Sequence, residues 1–318
     1  MFRGLESVGV IFLIFAVGFF FQQKKIWPDN TPPALSSIVT RISAPCLAVT
    51  SIVAGYDRET LAGSFVMMII AFLHLMIMMS IGKGSARLLG LGGGRKTVFE
   101  ISFTFSNVIF IGLPINQIVF GTNGLLPLFA YYLIGLACFW SFGVYQIASA
   151  APDAPEINKK SAISAGKILN PGLIGVLVGY ILVQAELGLP PVLDIALGYL
   201  ANLTIPLSLL IIGANLTMFA KGIPRITKDE ILVILAKFAI SPLIMLVLLK
   251  IFGVTGLPFF VYLLSSTMPC HMQASIIAQN YNVEPSYASK LVGLTTLLSI
   301  ITIPCYAFLI HTLMLQVY

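Results

Sequence analysis

Long apolar runs separated by short polar connectors fill this sequence. Ten of the runs approach the roughly 20 residues that an α-helix needs to cross a bilayer. We place them at 5–22, 34–54, 61–82, 97–120, 124–148, 169–187, 192–218, 230–253, 257–280 and 287–315. The pattern predicts an all-α membrane protein with ten transmembrane helices.

Two of these runs carry a proline among polar side chains. The fourth holds Ser106, Asn107, Gly112, Pro114, Asn116 and Gln117, and the ninth holds Ser265, Ser266, Thr267, Pro269, Cys270, His271 and Gln273. A proline removes a backbone donor and clashes with the preceding turn. In hydrocarbon the freed polar groups cost several kcal/mol each unless protein or cavity water satisfies them. We therefore predict that helices 4 and 9 are broken at depth and that the breaks line a cavity.

The longest connector divides the ten runs into two groups of five. The predicted organisation is a first five-helix repeat at 1–148, a cytoplasmic linker at 149–168 and a second five-helix repeat at 169–318. Because each group has an odd number of spans, the second enters the membrane from the opposite side, which makes an inverted repeat.

Two pairs of prolines recur at similar spacing in the two halves. Pro45 and Pro206 are 161 residues apart, and Pro114 and Pro269 are 155 apart. Broken segments at corresponding places in two halves indicate the binding site of a transporter. Coincidence among membrane prolines is the alternative explanation of the spacing.

Composition and charge agree with a membrane protein. The chain is 58% hydrophobic and 9% charged, whereas soluble domains carry about 25% charged residues. With the first residue outside, thirteen of the 18 Lys and Arg lie in cytoplasmic connectors and three at outer positions. This bias predicts a multi-pass protein of the cell membrane with both termini on the extracytoplasmic side. It also explains the net charge of +6 without a nucleic-acid partner.

The sequence lacks the motifs of several other classes. The four cysteines have no metal or redox spacing, and no zinc-protease or paired-aspartate pattern is present. We expect neither an enzyme nor a metal site, and no resident cofactor. Sodium/proton antiporters that use buried aspartates are also disfavoured.

Three segments spread over both halves share a further pattern. The run from Asn107 to Ile115 reads Asn-x-x-x-x-Gly-x-Pro-Ile, 169–175 carries Asn-Pro and Leu-Ile-Gly, and Pro269 is followed by Tyr-Asn-Val-x-Pro at 281–285. In order and position these segments resemble the auxin efflux carrier family, which includes plant PIN carriers and bacterial organic-acid permeases and is related in fold to bile acid sodium symporters.

The resemblance implies spans 4 and 9 that cross at their breaks. It also implies a scaffold domain and a transport domain, each mixing both repeats, which move in elevator fashion, and it suggests a homodimer. The sequence departs from the plant carriers in its linker of about twenty residues and at Cys270-His271-Met272. Auxin itself is therefore in doubt as the substrate.

The candidate substrate-binding residues lie at the two breaks. They are Asn107, Pro114, Ile115, Asn116, Pro269, Cys270, His271 and Gln273. Half-helices starting after Pro114 and Pro269 would present positive amide ends to an anion, and the resemblance assigns substrate binding to Asn107. The alternatives are an interhelical hydrogen bond for Asn107 and a packed neutral side chain for His271.

A second group of residues is a candidate for ion binding or coupling. It comprises Arg41, Glu100, Asn202, Asn215 and Lys237. Charged side chains within apolar spans are usually functional, although Arg41 and Lys237 lie near span ends and could snorkel to the interface. Coupling to Na⁺ or protons is left open.

Taken together, these features favour a secondary transporter, an alternating-access, elevator-type carrier. Its expected cargo is a small organic anion, a carboxylate such as malate, malonate or an auxin-like acid. An ion or solute channel is the alternative.

Overall fold

A computed structural model describes residues 2–55, 57–152, 171–219, 222 and 225–317. Within those ranges the regular structure is helical, apart from an isolated β-bridge between Ser106 and Cys270. The predicted all-α class is confirmed. Most of the predicted linker at 149–168 lies outside the described residues.

The α-helices of the described residues are numbered here in chain order. The first group is α1 Phe2–Gln23, α2 Thr31–Ile38, α3 Ala44–Gly55, α4 Arg58–Leu88, α5 Gly93–Thr104, α6 Leu113–Phe120, α7 Leu125–Cys138 and α8 Val144–Ser149. The second group is α9 Pro171–Gln184, α10 Pro191–Ala201, α11 Thr204–Asn215, α12 Lys228–Leu235, α13 Ser241–Ile251, α14 Gly256–Ser266, α15 Met272–Asn280 and α16 Pro285–Val317.

Six helical stretches of the described residues are long and apolar enough to cross a bilayer. They are Thr31–Gly55, Gly63–Leu88, Thr122–Ser149, Pro191–Asn215, Lys228–Ile251 and Pro285–Met314. Four shorter apolar helices are Leu13–Gln23, Val108–Phe120, Pro171–Gln184 and Gly256–Ser266. Each of these segments overlaps one predicted run. A multi-pass membrane protein is confirmed, whereas the count of ten spans remains a prediction.

Three of the membrane segments contain a π-helical turn, which is wider than an α-helical turn, just before a proline. In a π-turn each carbonyl accepts from the amide five residues on, which relieves the clash that a proline makes with the carbonyl four residues back. The three turns are Val39–Ser43 before Pro45, Val108–Gly112 before Pro114 and Ala236–Ile240 before Pro242. Each proline is the second residue of the α-helix that continues from its π-turn.

Two helix pairs pack against each other through their backbones. A Cβ at Gly213 of α11 would lie 2.0 Å from the carbonyl oxygen of Phe15 in α1, and one at Gly175 of α9 would lie 2.6 Å from that of Pro45 in α3. Small residues permit such approach in membranes. A twofold relation between the halves would exchange these two pairs, as the predicted inverted repeat requires. The inverted repeat itself stays a prediction.

A charged cluster joins the N-terminal ends of α5, α12 and α16. Arg95 donates to Asp229 through Nε at 3.1 Å and Nη2 at 2.8 Å, and its guanidinium lies 4.0 Å from the centre of the Tyr287 ring. The Tyr287 hydroxyl donates to the same carboxylate at 2.6 Å. Lys290 pairs with Glu230 at 2.8 Å. The helix α5 that leads into the fourth-run break is thus held to two helices of the second half.

Candidate functional site

Both predicted interruptions are present in the structure. In the fourth run, α5 ends at Thr104 and the helix resumes with the π-turn at Val108. In the ninth run, α14 ends at Ser266 and α15 begins at Met272. Residues 105–107 and 267–271 between them are not helical. We call these two stretches the breaks.

The breaks run antiparallel past each other and are joined by backbone hydrogen bonds. The amide of Asn107 donates to the carbonyl of Pro269 at 2.8 Å, and the amide of His271 donates to the carbonyl of Phe105 at 3.1 Å. Between these two bonds Ser106 faces Cys270. We call this junction the crossing. Polar backbone at membrane depth is thereby satisfied, because each break supplies partners to the other.

The position of the first break corrects one expectation. A half-helix was expected to start after Pro114, but the break ends at Asn107, seven residues before that proline, and Pro114 lies in the first turn of α6. The π-turn before Pro114 removes the need for an interruption at the proline. Asn107 instead caps the new helix, with Oδ1 accepting from the Phe110 amide at 3.3 Å. Pro269 lies inside its break, as predicted.

Two helix N-termini therefore begin at the crossing. Asn107 and His271 are the N-cap residues, and the His271 side chain makes no capping hydrogen bond. The first amides of a helix have no intrahelical acceptor, and this end carries about half a positive elementary charge. Both amide-rich ends face the place where the breaks meet.

Several buried side-chain atoms at the crossing have no hydrogen-bond partner among the described residues. They are Nδ2 of Asn107, both ring nitrogens of His271 and Oε1 of Gln273. Asn107 is fully buried. The His271 ring packs edge-on against Phe139, with ring centroids 4.6 Å apart. A buried donor left unpaired costs about 1–3 kcal/mol, so the Asn107 amide group has unused capacity to bind an acceptor.

The other predicted substrate-site residues lie near the crossing but within helices or the core. Asn116 is buried in α6, where Nδ2 donates to the Gly112 carbonyl at 2.7 Å and to Ser265 Oγ at 3.4 Å, linking the two interrupted segments. Its neighbour Ile115 is also buried. Cys270 is fully buried, its amide donating to Thr295 Oγ1 at 3.1 Å.

The candidates for ion coupling separate into two groups. Asn202 and Arg41 are exposed. Asn215 reaches the crossing, since Nδ2 lies 3.7 Å from the sulfur of Met272. Glu100 is buried in α5, one turn before the break, and its Oε1 has no partner among the described residues.

Lys237 lies at the crossing itself. Its residue exposure is 0%. The ammonium donates to the Phe105 carbonyl at 2.8 Å and to Ser106 Oγ at 3.2 Å. The side chain therefore does not snorkel to the interface. The π-turn Ala236–Ile240 places Lys237 on the inner face of its helix.

Sequence reasoning missed several residues that support the crossing. Ser241 donates to the Ser266 carbonyl at 2.7 Å, and its own carbonyl lies 3.2 Å from Nε2 of His74. The Tyr131 hydroxyl lies 3.3 Å from Nδ1 of the same histidine. The sequence feature that could have indicated this role for Ser241 is its position directly before Pro242 in an apolar run.

A small cavity adjoins the crossing. Its volume is about 20 Å³ and it is lined by Leu75, Phe105, Ser106, Val108, Tyr131, Tyr132, Gly135, Leu136 and His271. This space can hold one water molecule but not an organic anion. The breaks line a cavity, as predicted, and access for a larger ligand requires movement of the surrounding elements.

Two comparisons with known proteins bear on this site. The model of a family described as membrane transport protein matches residues 4–307. An uncharacterized transporter of Methanothermobacter thermautotrophicus is 23% identical over 303 residues, covering 95% of this chain and 97% of that protein. Both matches span the two halves and include the crossing.

Proposed function

Since the chain belongs to the membrane transport protein family, the family of the auxin efflux carriers, we propose that it is a secondary transporter of small organic anions. The resemblance stated from the sequence is confirmed at the level of the family, and the protein is a membrane transporter rather than an enzyme. The substrate class, the mechanism and the binding residues are our proposal.

One observation carries the proposal: the unpartnered amide group of Asn107 at the meeting point of two helix N-termini. The unpaired groups in this region include one amide donor, Nδ2 of Asn107, and two amide oxygens, those of Asn116 and Gln273. The two helix ends add partial positive charge. A carboxylate oxygen would satisfy the Asn107 donor and remove its desolvation penalty. We assign Asn107 as the principal ligand. The amides of Val108 and Phe110 are already bonded to the Ser106 carbonyl and to Asn107 Oδ1, so we assign the first amides of α15 as its partners.

The charge of the surroundings favours an anion over a neutral solute. A carboxylate buried in hydrocarbon is unfavourable unless it is paired or hydrogen-bonded. The two helix ends supply partial positive charge. The Lys237 ammonium adds a full charge beside them, because it donates hydrogen bonds to Phe105 and Ser106, the two residues that precede Asn107. A small mono- or dicarboxylate such as malate, malonate or an auxin-like acid matches these donors. His271, Gln273 and Cys270 would then form the wall beside it.

A carrier is our leading proposal, and a channel is the alternative. A space of about 20 Å³ beside the crossing is too small for an organic anion, so the lining elements must move before one binds there. We propose alternating access in which the crossing moves as a transport domain against a scaffold. The pairs α1–α11 and α3–α9, which touch through glycine backbones, are suited to the scaffold because they resist deformation. The assembly is proposed to be a homodimer in the cell membrane, with both termini outside.

Counterflow in proteoliposomes tests the function. Vesicles loaded with an unlabelled carboxylate should transiently accumulate the labelled compound, and the initial rate should saturate with concentration. A carrier binds one substrate molecule in each cycle, so it predicts both results. A current that rises linearly with anion concentration, without counterflow, would establish the channel alternative and contradict the proposal.

A further inference from the structure

The Lys237 ammonium is a full charge at the crossing without a carboxylate partner in the described part of the chain. Its two hydrogen-bond acceptors, the Phe105 carbonyl and the Ser106 hydroxyl, are neutral. The ion pairs that the structure places elsewhere, Arg95–Asp229 and Lys290–Glu230, lie in the cluster at the helix ends. Burying an unpaired ammonium is expensive in a membrane protein and usually marks a functional position.

The acceptors of Lys237 indicate the role of its ammonium group at the crossing. Phe105 is the C-cap residue of α5, and a helix C-terminus carries about half a negative elementary charge. Unwound carbonyls and the C-terminal ends of half-helices are the groups with which membrane carriers coordinate small cations. The ammonium therefore occupies the kind of site in which a carrier would otherwise hold an inorganic cation.

The helical segment that carries Lys237 also binds the C-terminal end of α14, the helix before the second break. Ser241, four residues after Lys237, donates to the carbonyl of Ser266, the last residue of α14. Lys237 and Ser241 thus satisfy one terminal carbonyl in each interrupted segment. Since one of these donors is an ammonium group, the crossing contains a positive charge before any ligand arrives.

We propose that Lys237 is the resident cation of the crossing: its ammonium fills the position of a bound Na⁺, and the protein needs no inorganic cation there. The site is built from the breaks and the π-turn. Only the further role of this charge, to neutralise the transported anion, rests on the proposed function. Removal of the side chain beyond Cβ should leave a vacant site for a small organic ammonium ion. Propylammonium matches the deleted atoms, three carbons and one nitrogen.

Thermal unfolding of purified protein tests this proposal without any transport substrate. The wild type should show the same unfolding temperature in sodium chloride, propylammonium chloride and tetramethylammonium chloride at equal ionic strength. Lys237→Ala should unfold about 5 °C lower in sodium or tetramethylammonium chloride and recover at least half of that shift in propylammonium chloride. Lys237→Met, which restores the bulk without the charge, should stay low in all three salts. Lys250→Ala, an exposed lysine on the following helix, is the matched control and should resemble the wild type.

Three results would overturn the proposal. They are a Lys237→Met variant as stable as the wild type, a Lys237→Ala variant that propylammonium does not restore, or a wild type that Na⁺ stabilises saturably. If Lys237→Ala cannot be purified in sodium chloride, purification in propylammonium chloride becomes the test, and failure in both salts counts against the proposal. Because these assays contain no carboxylate, a failed search for an anion substrate would leave their outcome unaffected.

Discussion

Ser106 and Cys270 face each other where two interrupted membrane segments pass in opposite directions. Hydrogen bonds lie on either side of the pair, from Asn107 to Pro269 and from His271 to Phe105. The pair itself shares no backbone hydrogen bond, which is the narrow arrangement of an antiparallel ladder. A contact between residues so far apart in sequence ties the first half of the chain to the second at the crossing.

This pairing predicts a specific disulfide. In narrow antiparallel pairs the Cα atoms lie about 4.5 Å apart, within the range of roughly 4.4–6.8 Å that disulfides span. Ser106→Cys should therefore oxidise with the native Cys270, and mass spectrometry of the linked peptides should show the loss of two hydrogen atoms. The Ser106→Cys, Cys270→Ser double variant is the control for the remaining cysteines. If the thiol at position 106 stays free under oxidation while the protein is folded, the two breaks are not in contact.

The close contact between α1 and α11 predicts a large effect from one methyl group. In Gly213→Ala the new Cβ would meet backbone atoms of α1 at 2.0 Å, and backbone cannot yield as a side chain can. We expect destabilisation by about 1–3 kcal/mol or more, measured as a lower unfolding temperature. Gly198→Ala in α10 is the control, since nothing lies within 4 Å of its added Cβ. Equal stability of the two variants would contradict the packing.

The charged cluster predicts coupling between α5 and α12. Tyr287→Phe removes one hydrogen bond to Asp229 and should cost about 1 kcal/mol. A double-mutant cycle of Arg95→Met and Asp229→Asn should give a coupling energy of up to about 1 kcal/mol, because the Arg95 side chain is 35% exposed. Additive effects in the unfolding free energies would show that the helices are not joined through this pair.

The distribution of basic residues predicts sidedness. A cysteine introduced at Pro152 should react with a membrane-impermeant maleimide only from the cytoplasmic side, and one at Gly188 only from outside, in a background lacking the native cysteines. Both positions are exposed, so a lack of labelling would not result from burial. The reverse pattern would overturn the predicted orientation of both termini.

The sequence predicted the interruptions because hydrocarbon leaves few alternatives for polar backbone. Ser265 to Gln273 cannot continue as a lipid-exposed helix past Pro269, and the structure breaks the helix there. The same reasoning misplaced the other break. It treated Pro114 as an interruption, whereas a π-turn accommodates that proline. The signal for the true position was the pair Ser106-Asn107, since asparagine is among the best N-cap residues.

The role of Lys237 could not be read from local pattern. The sequence places it near one end of an apolar run, where snorkelling is as reasonable as burial. Its partner Phe105 is 132 residues away, and the direction of its side chain depends on the π-turn beneath it. Such long-range contacts follow from packing between the halves, which hydropathy alone does not define.

The most direct test of the account is a thermal-shift screen of mono- and dicarboxylates on the wild type and on Asn107→Asp. Aspartate keeps the acceptor that caps the Phe110 amide but lacks the free amide donor. The Lys237 ammonium on the neighbouring Ser106 offsets the cost of burying its carboxylate, so folding should be preserved. The account predicts that at least one carboxylate stabilises the wild type saturably and binds Asn107→Asp at least tenfold more weakly, a loss of about 1.4 kcal/mol. The exposed Asn202→Asp variant should bind like the wild type. Undiminished carboxylate affinity in Asn107→Asp would contradict an anion site at the crossing.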